Sequence, residues 1–243
     1  VERTRIVPVL TYALIAINIA VYIAQIQRGD RFTYAFAATP YELTHGEDID
    51  GPVLMTIPAA AGRGVGMVTV AIPHQATGIP VLLTLLTSLF LHASPLHLMG
   101  NMLYLWIFGD NVEEVLGTIK FGLLYLVSGV VGTMAQTAVA PDSVLPTLGA
   151  SGAIAGVMGA YLVWFPMHRI RVLVFYFITE MPALMVIGLW IAMQVALGMG
   201  SLDRIGETGG VAYLAHLGGA AVGLAAGLIW KDRAREDSAF VPY

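Results

Sequence analysis

Gly149-Ala150-Ser151-Gly152-Ala153-Ile154-Ala155-Gly156-Val157-Met158-Gly159 sets one serine among glycines, alanines and other apolar residues. It stands where a loop running from Pro141 to Pro146 gives way to an apolar run ending near Phe165. Gly149 permits a tight backbone at the junction, so Ser151 is the N-cap or the first residue of a helix. The first-turn N–H groups there have no intrahelical partners, and the positive end of the helix dipole favours developing negative charge. A hydroxyl nucleophile at that position would have an oxyanion site beside it. A serine there is equally an ordinary helix cap. Taken alone, the stretch leaves both readings open.

The rest of the chain sets the surroundings. Its 243 residues are 57% hydrophobic and only 12% charged, with mean hydropathy +0.77. A soluble domain carries about 25% charged residues, and the apolar runs here are long enough to cross a bilayer. The expected class is all-α, a polytopic membrane helical bundle with six transmembrane helices. With no cysteine there is no disulfide, no thiolate nucleophile and no Cys-based metal site. The first apolar run lacks a small-residue cleavage site and is expected to be retained.

Taken in order, residues 1–7 form an inner N-terminus, residues 8–231 the membrane domain and residues 232–243 an inner tail. The first span runs from about Pro8 to Ile26. Residues 27 to about 79 hold Gly, Pro, Thr and an acidic cluster (Glu47, Asp48, Asp50), and are expected to be an extramembrane loop with interfacial pieces. Val81 to Leu91 is too short to span comfortably and reads as an interfacial or re-entrant helix. Further spans follow from about Pro95 to Leu116, Phe121 to Val139, Ser151 to Phe165, Glu180-Met181-Pro182 to Met199, and Val211 to Trp230. A basic turn (His168, Arg169, Arg171) follows the fourth, and a polar loop with Asp203, Arg204 and Glu207 follows the fifth. Six spans put Arg3, Arg5, Lys120, Arg169, Arg171, Lys231, Arg233 and Arg235 on one face, against Arg28, Arg31, Arg63 and Arg204 on the other. That asymmetry places both termini on the cytoplasmic side.

Polar residues inside spans are costly and usually functional or paired. His97 and Asn101 are four apart and share one helix face, with His92 just before them. His216 lies inside the sixth span. In this topology Ser151, His97 and His216 all fall in the outer half. Gly219, Gly223 and Gly227 recur every four residues, and Gly152 and Gly156 form a matching stripe on the fourth span. Two small-residue faces in contact would bring the His216 imidazole within reach of the Ser151 hydroxyl, a nucleophile–base pair suited to acyl transfer.

These segments resemble the rhomboid intramembrane proteases. His92-Ala93-Ser94-Pro95-Leu96-His97-Leu98-Met99-Gly100-Asn101 is similar to the family's second span, Gly149-Ala150-Ser151-Gly152 to its GxSG nucleophile motif, and Ala215-His216 with Gly219 and Gly223 to its catalytic-histidine helix. Phe108-Gly109 through Glu113 resembles the family's FG…E segment. The likeness covers roughly residues 88–230 in the family's order. It implies a Ser–His dyad of Ser151 (nucleophile) and His216 (general base, then acid), with His97, Asn101 and the Ser151 backbone N–H stabilising the oxyanion. No third, carboxylate member and no cofactor are expected. The implied partners are transmembrane protein substrates and the lipid bilayer, without nucleic acid. The compact core favours a bacterial inner membrane.

Two departures stand out. Many relatives carry an aromatic four residues after the nucleophile, against which the histidine stacks; here that position is Ala155, so His216 is expected either to lean on another ring, such as Tyr213 or Tyr161, or to be less rigidly held. The first loop lacks the family's Trp-Arg pair, since no tryptophan precedes Trp106. Other intramembrane chemistries fit poorly. No His-Glu-x-x-His occurs for a zinc protease, Asp110 has no aspartate partner within a span, and no inverted repeat suggests a transporter. The remaining alternative is a catalytically silent rhomboid-like scaffold that binds transmembrane clients; such scaffolds usually lack the serine or the histidine.

Overall fold

The computed structural model describes residues 7–61, 64–201 and 212–231. Arg3, Arg5, Arg63, the polar loop with Asp203, Arg204 and Glu207, and the tail with Arg233 and Arg235 lie outside the described residues.

The fold is mostly helical. Long helices α1 (Val9–Arg28), α5 (Pro95–Leu116), α6 (Thr118–Val139), α7 (Ser151–Trp164), α8 (Ala183–Ser201) and α9 (Tyr213–Ile229) build the bundle, and short helices α2 (Asp30–Phe36), α3 (Pro40–His45) and α4 (Thr84–Thr87) accompany them. By length and composition, α1 and α6 can each cross a membrane. The segment Val81–Phe90, two 3₁₀ turns around α4, meets α5 at an 80° bend, and the pair counts as a third span if taken as one. The bend has a local cause. Ser94 caps α5 by accepting from the His97 N–H at 3.1 Å, and Pro95 occupies the first turn, where its missing N–H is not needed.

Two hairpins depart from the all-α expectation. Strands β1 (Val53–Ala61) and β2 (Gly64–Ile72) pair antiparallel inside the stretch read as a loop, with Thr56 and Thr69 opposite each other and bonded at 3.1 Å. Strands β3 (Arg169–Val174) and β4 (Phe177–Pro182) occupy the expected basic turn. In β3 the exposed Arg169 and Arg171 alternate with the more buried Ile170 and Val172, the period of a half-buried strand. That alternation is present in the sequence but too brief to stand out beside the apolar spans.

The core lies between α5, α6, α7 and α9, around Leu105, Phe108, Val112, Phe121, Tyr125, Val157 and Tyr161. α7 and α9 approach almost backbone to backbone. A Cβ on Gly219 would strike the Gly152 carbonyl, and one on Gly223 the Gly156 carbonyl. The two glycine stripes therefore face each other as their spacing predicts.

α1 is fixed by polar pegs. Thr11, Asn18 and Gln25 are seven residues apart and buried at 0%, 0% and 5% exposure, so two turns separate each from the next on one face. Glu113 accepts from the Leu10 and Thr11 N–H groups (3.0 and 2.8 Å) and from the Thr11 and Thr118 hydroxyls (2.8 and 3.1 Å). At the other end Gln25 accepts from the His92 N–H at 2.9 Å and donates to the His92 carbonyl at 3.3 Å.

Candidate active site

Ser151 is the first residue of α7, and the cap position belongs to Ala150, which makes no side-chain cap bond. The hydroxyl is thus not spent on capping. It lies 2.8 Å from His216 Nε2. The pairing follows from the elements: Gly152 lets α9 come close, and Ala215, the neighbour of His216, sets its carbonyl against Gly152, 3.3 Å from where a Cβ would stand.

His216 is 8% exposed and held on two further sides. Its Nδ1 is 2.8 Å from Gln194 Oε1, and its ring lies 5.5 Å from the Trp190 ring at an interplanar angle of 38°. Both partners come from α8, one turn apart. With Oε1 as acceptor, Nδ1 carries the ring proton and the Nε2 lone pair faces the Ser151 hydroxyl. The expectation that Tyr213 or Tyr161 would support the ring is corrected here. Tyr161 packs against Phe108, Phe165 and His168, and the Tyr213 side chain lies against Gly198. Sequence reasoning missed Trp190 and Gln194. The available signal was that Gln194 is the lone polar side chain from Ala183 through Gly200.

His97 lies against the Gly149 turn that leads into Ser151. Gly149 has φ +127°, and a Cβ there would come within 2.8 Å of His97 Cε1 and 3.8 Å of Ser151 Oγ. Only glycine both adopts this backbone and leaves room for the imidazole. The Ala93 N–H donates to His97 Nδ1 at 3.4 Å, which puts the ring proton on Nε2, the nitrogen nearer Gly149. Asn101, one turn further along α5, is 8% exposed, and its amide nitrogen is buried without a hydrogen-bond partner among the described residues. His92 packs edge-on to His97 at 5.1 Å between ring centres, and its backbone is the group Gln25 holds.

The loop that delivers Ser151 is fastened from outside. Ala38 and Thr147 exchange both backbone bonds (3.0 and 2.8 Å), the Tyr41 N–H donates to the Ser143 carbonyl at 3.0 Å, and the Gly149 N–H to the Ser88 carbonyl at 2.9 Å. A small cleft bounded by Leu89, Gly129, Thr133 and Ala215 opens beside Ser151. A serine hydroxyl bonded to an oriented, buried imidazole, with the His97 imidazole at the Gly149 turn beside it, is an arrangement suited to acyl transfer.

Comparison with known proteins supports the family resemblance. Residues 80–233 match the Rhomboid domain. The mitochondrial Rhomboid protein 1 of Saccharomyces cerevisiae is 33% identical over 150 residues, covering 58% of this chain and 40% of its own length. RHOMBOID-like protein 4 of Arabidopsis thaliana is 27% identical over 229 residues, 91% of this chain and 52% of its own. The Rhomboid protease GluP of Bacillus subtilis is 33% identical over 127 residues, 52% of this chain and 24% of its own. The chain thus spans from a quarter to about half the length of these curated relatives. With the matched domain covering the broken span, the loop that leads into Ser151, and α9, this chain belongs to the rhomboid family.

Proposed function

We propose that this chain is an intramembrane serine endopeptidase that cuts transmembrane segments of other membrane proteins near the outer interface. The observation that carries the reading is the 2.8 Å contact between Ser151 Oγ and His216 Nε2. Ser151 Oγ bonds to the scissile carbonyl carbon while its proton passes to His216 Nε2. His97, Asn101 and the Ser151 backbone N–H receive the oxyanion. His216 then returns the proton to the amide nitrogen as the C–N bond breaks, which leaves an acyl-serine. Water enters by the reverse proton route and releases the acid.

The membrane setting belongs to the same proposal. α1, the Val81–Phe90 and α5 pair, α6, α7, α8 and α9 make six spans with both termini on the cytoplasmic side, the orientation the Lys and Arg distribution favours. The 14 residues of α7 reach about 21 Å against a hydrocarbon core of about 30 Å. That shortfall supports a nucleophile recessed below the outer surface, reached by water through a shallow cavity. Mitochondrial relatives match alongside the one from Bacillus subtilis, and the proposal covers either membrane. The substrate helix must unwind locally, because an intact helix hides its carbonyls. A substrate series of rising helix stability should therefore be cleaved progressively more slowly, and a flat series would contradict this step.

The deciding experiment is labelling of the solubilised protein with a fluorophosphonate probe, beside Ser151→Ala and His216→Ala. Labelling of the parent alone supports the enzyme. No labelling of a folded parent favours the silent client-binding scaffold.

A further inference from the structure

Gln194 is 5% exposed on a helix otherwise apolar from Ala183 through Gly200. A buried amide there is costly unless it is bonded, and its oxygen meets His216 Nδ1 at 2.8 Å. Trp190, one turn earlier on α8, lies beside the same imidazole. We infer that Gln194 is a positioning residue that sets the tautomer of His216, with Trp190 holding the plane of the ring; this rests on reading Ser151 and His216 as nucleophile and base.

The chemistry is one of direction. With the Gln194 amide turned so that its oxygen faces Nδ1 at 2.8 Å, Nδ1 carries the ring proton and Nε2 keeps its lone pair. That neutral form alone can take the Ser151 proton. The opposite tautomer turns an N–H toward Ser151 Oγ and disables the base. A carboxylate would orient the ring equally well but carries a charge that is expensive to bury here. The neutral amide orients without that cost. Trp190 supplies the ring contact that Ala155 cannot. Because both groups belong to α8, the orientation of the base depends on α8 being seated against α9.

The test uses the full chain labelled with [15N]histidine, the His216 signals being identified by their loss in His216→Gln. The parent is expected to show the proton on Nδ1. Gln194→Leu should mix or reverse the tautomers, and Gln194→Glu should keep the parent form. In cleavage assays Gln194→Leu should lower kcat about ten- to a hundredfold with KM little changed, and Gln194→Glu should recover most of the loss. Thermal unfolding checks that the Leu variant folds; if it does not, Gln194→Met, closer in shape, replaces it. A parent proton on Nε2, or a Leu or Met variant with parental tautomer and kcat, overturns the inference. A parent that shows the Nδ1 proton yet fails to react with fluorophosphonate defeats the protease reading and leaves the tautomer assignment standing.

Discussion

Asn101, the proposed oxyanion donor, can be told from a packing residue by measurement. Its amide nitrogen is buried with no acceptor among the described residues, and an unmet buried donor costs about 1–3 kcal/mol. An oxyanion donor would carry such a deficit, because it waits for a charge that exists only in the transition state; buried Ser128 Oγ is unmet too, so the rate and not the deficit decides the role. Asn101→Ala is therefore expected to lower kcat by about 10²–10³ while thermal stability stays level or rises. Steady-state cleavage beside thermal unfolding checks both halves; a variant that loses stability and keeps its rate would mark Asn101 as packing. The four residues of the candidate machinery were legible because each is a polar type at a telling position in an apolar span. Gln194 and Trp190 were not assigned, although Gln194 is equally isolated. Periodicity within one helix says which side chains share a face, but not which other helix that face meets.

Among the elements, the α7–α9 contact has the least room for change. The Gly223 Cα faces the Gly156 carbonyl so closely that any side chain forces the helices apart, and overpacking in a close-fitted core costs about 1–3 kcal/mol or more. Gly223→Val should lower the unfolding temperature and also slow fluorophosphonate labelling, since Ser151 and His216 ride on these two helices. Separate loss of stability with full labelling would show that the dyad does not depend on this contact. The α1 pegs act by hydrogen bonding instead. Gln25→Leu strands the His92 N–H and carbonyl at about 1–3 kcal/mol for each buried group left unmet. It should loosen the turn ahead of His97, visible as faster amide exchange at residues 91–97. The glycine stripes could be read from the chain because small residues every four positions permit little but close packing. The seven-residue spacing of Thr11, Asn18 and Gln25 was equally regular, but three polar residues on a hydrophobic helix name no partner. The short hairpins escaped for a related reason: strands of six to nine residues carry little weight beside spans of about twenty.

At the scale of the whole molecule, the insertion between α1 and α5 is anchored to the loop that carries the nucleophile, through Ala38 with Thr147, Tyr41 with Ser143 and Thr44 with Pro141. Its own interior holds two titratable groups, Glu42 at 4% and His74 at 5% exposure, with Glu42 Oε1 and His74 Nδ1 3.9 Å apart. Burial raises the Glu42 carboxyl above its ordinary 4.5 and lowers the His74 imidazole below its ordinary 6.5, so each is pushed toward its neutral form. The signs are opposite. For Glu42 the folded state binds its proton more tightly than the unfolded one, so its contribution is complete below pH 4.5 and is lost as pH rises through the raised value. For His74 the unfolded state binds the proton more tightly, so stability is complete above pH 6.5 and is lost as pH falls toward the lowered value. Substitution separates the two arms. Glu42→Gln keeps an oxygen able to accept the Ile49 N–H, which Glu42 Oε1 takes at 3.1 Å, and removes the charge that must be buried at neutral pH. It should raise the unfolding temperature at about pH 8 and match the parent at about pH 4, where the carboxyl is already protonated. His74→Gln should leave the neutral value close to the parent's and flatten the decline below pH 6.5. If Glu42→Gln destabilises the protein at neutral pH, the ionised carboxylate is paired with His74 rather than burdened, and the interior of the insertion is held together partly by charge.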